Sequence, residues 1–234
     1  MLKIILFIRS CSFYLGFFSS LFLCTLFCIT IGQFLHLKSR YKYFLYWNKF
    51  ATYWLSLCCS VKIIISGLEN TPKPPIVILS NHQSPWETIF LYQLFSPASV
   101  ILKKELLSIP LFGWSLALLK PIAIDRKRKL KARQAILQQG KHKLDQGISI
   151  LIFPEGTRVK PGGNKRYQTG GAVLAIAAGA AVLPVAHNAG HCWPSGRFLK
   201  YPGTINVTIG KPIETAGRSP RELTEEVASW IRQN

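Results

Sequence analysis

The hydrophobic pattern of the chain changes near residue 60. Before this point the apolar residues form two long stretches, and after it they form short runs rich in β-branched side chains. Long apolar stretches are typical of membrane-associated helices, whereas short β-branched runs bounded by turn residues are typical of strands. We therefore expect an N-terminal membrane-anchoring helical segment, residues 1–60, and a separate domain, residues 61–234.

The first apolar stretch, Ser10 to Leu37, contains no charged residue. About 20 apolar residues cross the hydrocarbon core of a bilayer, so this stretch is long enough. It is too long for a cleaved signal peptide, and no small-x-small cleavage site follows it. More basic residues follow it (Lys38, Arg40, Lys42) than precede it, which predicts an inner-membrane protein whose remaining chain faces the cytoplasm. Whether the stretch crosses the bilayer or bends back is left open.

The second stretch, Tyr43 to Val61, is aromatic and is interrupted by Lys49. Tryptophan and tyrosine prefer the membrane–water boundary, so this stretch suits an interfacial helix. A helix that packs on the globular domain is the alternative.

The second part of the chain alternates between predicted strands and predicted helices. This alternation favours an α/β fold with a mixed, largely parallel sheet flanked by helices. The predicted strands are Val61–Ser66, Ile76–Ser80, Ser99–Leu102, Pro121–Ile124, Ile148–Phe153, Val182–Ala186 and Thr204–Ile209. The predicted helices are Glu87–Phe95, Lys104–Leu119, Lys127–Gln146, Thr169–Ala178 and Arg221–Arg232.

The chain is strongly basic, with 29 Lys and Arg against 10 Asp and Glu among 234 residues. This charge predicts an anionic partner, and the high hydrophobic content (49 %) favours membrane phospholipids over nucleic acid. The basic run Arg126 to Arg133 carries no aromatic residue for base stacking, so it suits lipid headgroups, an acidic protein or plain solvent exposure. The six cysteines form no C-x-x-C pair, and we expect neither disulfides nor a metal site.

Two residues with complementary chemistry, His82 and Glu87, lie five positions apart. On one regular helix they would not share a face, but a helix that starts between them would bring them together. Ser84 suits an N-cap and Pro85 suits the first helical position, so the sequence predicts such a start.

A structural role for Glu87 is the alternative. Ser84-Pro85-Trp86-Glu87 has the pattern of a capping box, and Ser219-Pro220-Arg221-Glu222 repeats this pattern where nothing suggests chemistry. What distinguishes the first copy is the Asn81-His82 pair directly ahead of it.

A second string, Phe153-Pro154-Glu155-Gly156-Thr157-Arg158, follows a predicted strand. Ligands of α/β sheets bind at the carboxyl ends of strands, and an arginine there can hold a phosphate with two parallel hydrogen bonds. Lys103, Lys104 and Arg126 also follow predicted strands, so we expect an anion site. A turn with a local Glu–Arg pair is the alternative. Neither a G-x-S-x-G elbow nor a Walker-type phosphate loop is present, which disfavours serine hydrolases and nucleotide hydrolysis.

These strings together resemble the glycerolipid acyltransferase family, in particular its bacterial lysophosphatidate acyltransferases. Asn81-His82 through Glu87 is similar to the family's H-x4-D block, with glutamate in place of the usual aspartate. Ile124-Asp125-Arg126, Phe153 to Arg158 and Val182 to Ala186 are similar to the next three blocks. A glycine usual near the second block is absent, and Pro121 stands in that region.

The resemblance implies a mechanism and a set of site residues. His82 would take the proton of the acceptor hydroxyl, and Glu87 would orient His82. Pro184 would lie on the acyl-chain side. The residues implied for holding the glycerol phosphate are Glu155, Gly156, Thr157, Arg158, Arg126, Lys104 and Lys103.

The resemblance also implies the substrates. They would be lysophosphatidate and an acyl thioester, either acyl-CoA or acyl carrier protein, with no cofactor and no metal. Another lysophospholipid or an aminolipid is the alternative acceptor, and a non-catalytic protein that binds anionic lipid is the alternative of a different class.

Overall fold

The computed structural model describes residues 2–125 and 127–234, without the side chain of Lys129. The helices are α1 (Leu2–Thr30), α2 (Leu37–Cys59), α3 (Trp86–Leu94), α4 (Phe112–Ala117), α5 (Lys129–Asp145), α6 (Gly170–Ala178) and α7 (Pro220–Gln233). The strands are β1 (Val61–Ser66), β2 (Val77–Ser80), β3 (Ala98–Lys103), β4 (Ile122–Ile124), β5 (Ser149–Ile152), β6 (Val182–His187) and β7 (Gly203–Ile209).

The seven strands form one sheet in the order β1-β7-β6-β2-β5-β3-β4. Strands β6, β2, β5, β3 and β4 run parallel to one another, and β7 pairs antiparallel with β6 and parallel with β1. The predicted mixed, largely parallel α/β sheet is confirmed. The carboxyl ends of β6, β2 and β5 therefore meet at one edge, with β2 in the middle.

Helices cover both faces of the sheet. The central strands β2, β5 and β6 are buried along their whole length, as expected of parallel strands enclosed on both sides. One core cluster joins α1, α2 and α3 to the sheet around the fully buried Trp86, and the other joins α5, α6 and α7 to its opposite face. Gly171 at the start of α6 permits close packing, because a Cβ there would lie 2.6 Å from Leu79.

The two N-terminal helices lie against the α/β domain. α1 starts earlier than the predicted apolar stretch and ends at Thr30, and α2 starts at Leu37, six residues before the predicted aromatic stretch. Among the described residues, α1 is the one helix that is long and apolar enough to cross a membrane. Its inner face packs on the domain, with Phe13 fully buried, while Leu15 and Phe18 on its outer face stay exposed.

The predicted helix Lys104–Leu119 is wrong. The structure has a 3₁₀ helix over Lys104–Ser108 and the separate short helix α4. Pro110 lacks an amide hydrogen and disfavours helical geometry at the residue before it, and Leu111 has a positive φ of 60°. Because the chain turns at these residues, one continuous helix cannot form.

Candidate active site

The structure brings His82 and Glu87 together at the carboxyl end of β2. Nδ1 of His82 lies 2.7 Å from Oε1 of Glu87. A carboxylate can only accept, so Nδ1 carries the hydrogen and Nε2 keeps its lone pair. In the part of the chain that the structure describes, Nε2 has no hydrogen-bond partner. The imidazole stacks on Phe153, with 4.2 Å between ring centroids, so its plane is fixed as well.

Glu87 is fully buried and its Oε1 accepts three hydrogen bonds. Besides His82, the backbone amides of Gln83 and Ser84 donate to it over 2.9 Å and 2.8 Å. Burial alone would raise the pKa of the Glu87 carboxyl, but the facing His187 and the hydrogen bonds from His82 and Ser84 outweigh burial and lower it. Glu87 is therefore held as a carboxylate, which is the form that stabilises a protonated imidazole.

The helix starts between the two residues as predicted, but Pro85 and not Ser84 is the N-cap residue. α3 begins at Trp86, and the Ser84 hydroxyl accepts the Trp86 amide over 3.1 Å. Glu87 reaches back to the Ser84 amide as a capping glutamate does. The capping box is only half formed, because the Ser84 hydroxyl accepts the Trp86 amide and not the Glu87 amide. The orienting contact is present, and one oxygen of Glu87 binds both the Ser84 amide and His82.

Asn81 ties the end of β2 to the end of β6. Its Nδ2 donates to the His187 carbonyl over 2.8 Å, and its Oδ1 accepts the His187 amide over 3.0 Å. The ring of His187 is buried and lies 2.9 Å from the Asn81 carbonyl through Nε2. The segment that carries His82 is thus fixed from the β6 side.

Glu155 approaches His82 from the β5 side. Its Oε2 accepts the His82 amide over 3.3 Å, and the Tyr167 hydroxyl faces the same carboxyl. Burial raises the pKa of Glu155 to about 7; the nearby Glu87 charge adds to the rise, and the hydrogen bonds oppose it. Gly156 follows with a φ of +70°, a conformation that side chains rarely adopt, so the turn itself requires glycine.

The predicted cations that the structure describes, Arg158, Lys103 and Lys104, lie at the same edge of the sheet and are exposed. Arg158 has no hydrogen-bond or ion-pair partner among the described residues, so the local Glu–Arg pair of the alternative interpretation is absent there. Lys103 ends β3 and Lys104 follows it, and both are exposed. Thr157 is exposed beside Arg158. Arg126 lies outside the described residues.

An apolar cavity of about 570 Å³ lies beside this group of residues. Helices α1, α2 and α3, strand β3 and the segment up to Pro121 enclose it. Thr88 and Arg158 line the end near the His82 loop, and Arg158 is the one charged residue among its described lining. Phe18 lines the cavity and is 57 % exposed on the outer face of α1, so the cavity also meets the apolar surface.

Pro184 does not line this cavity. Strand β6 alternates its side chains, and Leu183 and Val185 belong to the core on the α3 side. Pro184 points to the opposite face, where it packs beside Gly210 and Trp230 of α7. Its placement gives no support to the predicted role on the acyl-chain side, because the intervening sheet separates it from the cavity.

A family model described as "Acyltransferase" matches residues 62–188, more than half of the chain. The matched stretch includes His82, Glu87, the Glu155–Arg158 turn and His187. The chain belongs to the acyltransferase family. The resemblance that the sequence strings carried is thereby confirmed.

This acyltransferase is 44 % identical to a 1-acyl-sn-glycerol-3-phosphate acyltransferase of Pseudomonas aeruginosa, over 97 % of its own length and 90 % of that relative. It is 36 % identical to the enzyme of the same name from Escherichia coli K12, over 47 % and 45 % of the two chains. The crystal structure of a 1-acyl-sn-glycerophosphate acyltransferase from Thermotoga maritima matches with a TM-score of 0.82 at 27 % identity, covering 100 % of this chain and 95 % of that one.

Three residues of the acyltransferase's site escaped prediction as functional residues. His187 directly follows a predicted strand, and this position at a strand's carboxyl end is a sequence signal that indicates a site residue. Asn81 is distinguished in the sequence only as the neighbour of His82. No local sequence signal marks Tyr167, because the tertiary fold brings it to Glu155. Among residues 2–125 and 127–234, no group of three His, Cys, Asp or Glu side chains is placed to hold a metal ion.

Proposed function

We propose that this acyltransferase transfers a fatty acyl group from an acyl thioester to the free hydroxyl of 1-acyl-sn-glycerol-3-phosphate, giving phosphatidate. The observation that carries the proposal is the His82–Glu87 pair. Its Nε2 lies at the sheet edge that also bears Arg158, and neither group has a partner within the described residues. The names of the relatives support the same acceptor.

His82 acts as the general base. Its Nε2 takes the proton of the acceptor hydroxyl while the hydroxyl oxygen attacks the thioester carbonyl. When the tetrahedral species collapses, the carbon–sulfur bond breaks and the imidazolium returns the proton to the leaving thiolate. Glu87 stabilises the imidazolium through its 2.7 Å contact with Nδ1. The transfer is direct, and no acyl-enzyme forms.

The phosphate of the acceptor binds among the cations at this edge. Arg158 has no protein partner among the described residues and offers parallel donors to a phosphate. Lys103 and Lys104 add positive charge from the end of β3. Arg126, which lies outside the described residues, stays a predicted member of this set. Glu155, Gly156 and Thr157 shape the turn that carries Arg158.

The apolar cavity takes an acyl chain of one of the two substrates. Its wall is almost wholly hydrocarbon and aromatic, and its charged end lies beside the proposed phosphate site. Phe18 connects it with the exposed apolar surface of α1, which gives a lipid tail a route from the membrane.

The N-terminal helices bind the cytoplasmic face of the inner membrane. α1 contacts the domain along its length: Phe7 packs on Phe198 near its start, Phe13 packs on Trp193, and Cys28 lies near Leu119 close to its end. A helix held to the domain along its length favours insertion into one leaflet over a full crossing. Its exposed apolar side chains and the net charge of +19 both favour association with anionic lipid.

The acyl donor is the co-substrate, either acyl-CoA or acyl carrier protein, and the proposed transfer assigns no cofactor. The test is phosphatidate formation by purified protein in mixed micelles, with lysophosphatidate and each donor, measured by mass spectrometry. A second lysophospholipid and an aminolipid compete as acceptors. Absence of phosphatidate with both donors, or transfer only to a competitor, contradicts the proposal.

The role of Arg158 is tested by Arg158→Lys. Lysine keeps the charge but loses the parallel donors, so we expect the KM for lysophosphatidate to rise roughly tenfold while the KM for the donor changes little. Arg197→Lys, at an exposed arginine outside the proposed phosphate site, is the matched control. An unchanged acceptor KM would remove Arg158 from the phosphate site.

A further inference from the structure

We infer that His187 is a positioning residue of the His82–Glu87 pair: its neutral imidazole fixes the Asn81–His82 backbone and places its Nε2–H group beside the buried Glu87 carboxylate. The inference rests on the proposed function and adds to it a residue that acts on the base only through Asn81 and Glu87.

The backbone argument comes from three contacts between the same two residues. Asn81 and His187 exchange two hydrogen bonds through the Asn81 amide group, and Nε2 of His187 lies 2.9 Å from the Asn81 carbonyl. Because Asn81 directly precedes His82, these contacts fix the peptide that carries the base. Strands β6 and β2 are neighbours in the sheet, so the fixed point is rigid.

The contacts also define the tautomer of His187. The Asn81 carbonyl can only accept, so Nε2 carries the hydrogen. Nδ1 accepts the Ala189 amide over 3.3 Å, so it carries none. Both ring nitrogens are satisfied by the neutral imidazole, and burial lowers the pKa of His187. His187 is therefore a fixed dipole and does not carry protons in the reaction.

The electrostatic argument concerns the second oxygen of Glu87. Oε2 is buried and accepts no hydrogen bond within the described residues. Nε2 of His187 lies 3.9 Å from it, too far for a hydrogen bond but close for electrostatic attraction in a dry site. The other ionisable groups at Glu87 are His82, bound to Oε1, and Glu155, whose pKa rises in part because of the Glu87 charge. The N–H of His187 thus offsets the burial of this carboxylate.

A pH effect follows from this arrangement. The active pair is neutral His82 with ionised Glu87, and it carries one negative charge. One added proton neutralises and inactivates it. The partial positive charge of the His187 Nε2–H group, 3.9 Å from the carboxylate, stabilises the charged, active form of the pair. Loss of this group therefore makes the pair bind the proton at a higher pH. The acid limb of the rate profile then moves to higher pH.

Two substitutions of His187 separate the contacts of its Nδ1 from the contacts of its Nε2. In His187→Asn the amide oxygen replaces Nδ1 and keeps the Ala189 contact, but no donor reaches Asn81 or Glu87. In His187→Gln the amide nitrogen replaces Nε2 and keeps that donor. For His187→Asn we expect kcat to fall roughly tenfold or more, an unchanged acceptor KM and an acid limb about half a pH unit higher or more. For His187→Gln we expect values near those of the parent.

The inference fails if the two variants have the same profile, or if His187→Asn retains the parental acid limb. Should His187→Asn not fold, ¹⁵N spectra of histidine-labelled protein decide: Glu87→Gln should shift the Nε2–H resonance of His187, and an unchanged resonance overturns the inference. Failure of the proposed function looks different, because the parent itself would then form no phosphatidate while the ¹⁵N comparison keeps its meaning.

Discussion

Helices α3 and α7 begin with the same sequence pattern in two different environments. At α7, Ser219 and Glu222 exchange side-chain-to-backbone hydrogen bonds of 3.2 Å in an exposed capping box. At α3, Ser84 and Glu87 are fully buried, and Oε1 of Glu87 also binds His82. A common helix-starting device thus becomes part of a reactive site when a histidine precedes it and the sheet buries it.

The pKa values of the two glutamates fall for different reasons. In Glu222 the hydrogen bonds from Ser219 lower the pKa against little opposition, because the carboxylate is in water. In Glu87 burial opposes ionisation, and His187, His82 and the Ser84 amide must outweigh it. The Ser-Pro-x-Glu pattern alone therefore does not indicate catalysis. The groups that surround the glutamate determine whether it is catalytic or only caps a helix.

The largest loss of activity is expected for His82→Ala, because this histidine has no counterpart at the start of α7. General-base catalysis contributes about 10² to 10⁴ in rate, so phosphatidate formation should fall by roughly that factor. Circular dichroism and vesicle binding should match the parent, since the Glu87 cap and the N-terminal helices remain. Activity within a few-fold of the parent would show that the pair is only structural.

Glu87→Gln and Glu222→Gln are the matched pair for the comparison. Glutamine can still cap a helix, so neither variant should lose its helix start. Glu87→Gln removes the charge that stabilises the imidazolium, and we expect kcat to fall roughly 100-fold with little change in KM. Glu222→Gln should retain the parental kcat. Equal kcat values for the two variants would show that Glu87 only caps the helix and has no role in the reaction.

Local pattern was enough to predict one contact of this site. The contact between His82 and Glu87 depends on a helix start within five residues, which Ser84 and Pro85 signal in the sequence. The places of His187 and Glu155 on either side of His82 depend on the strand order, which no local pattern contains.

Most of the sheet could be predicted as well, and the N-terminal packing could not. All seven strands coincide with predicted strands. For β2, β5 and β6 the reason is that buried parallel strands are continuous apolar segments bounded by polar or turn residues. The cavity depends on how α1 and α2 pack on residues such as Tyr92 and Leu119, which are distant in sequence.

A smaller effect, on the pH dependence of stability, is expected for Glu155, whose carboxyl group lies next to the His82–Glu87 pair. The pKa of Glu155 rises to about 7 in the folded protein from an ordinary value of 4.5. Between these values the folded protein holds a proton that the unfolded chain releases, so stability falls as pH rises, by at most about 1.4 kcal/mol per pH unit. Glu155→Gln should lose less stability than the parent between pH 5 and pH 7.

Thermal unfolding in detergent at pH 5, 6, 7 and 8 measures this difference. Glu222→Gln is the control, because folding lowers the pKa of Glu222. The stability that ionised Glu222 contributes is lost only as the pH falls below the ordinary pKa of a glutamate. Parallel stability curves for Glu155→Gln and the parent would mean that Glu155 is ionised throughout this range.

The smallest effect is expected for Ser219→Ala, at the exposed copy of the pattern. The hydroxyl that accepts the Glu222 amide is lost, and such a cap is worth about 1 kcal/mol. For a chain of this size we expect the melting temperature to fall by about 2–4 °C, with kcat and the pH profile unchanged. A change in kcat here would mean that α7 acts on the site, and its route would be Tyr167, which lies beneath Arg232 and faces Glu155. An unchanged kcat confines the chemistry to the buried copy.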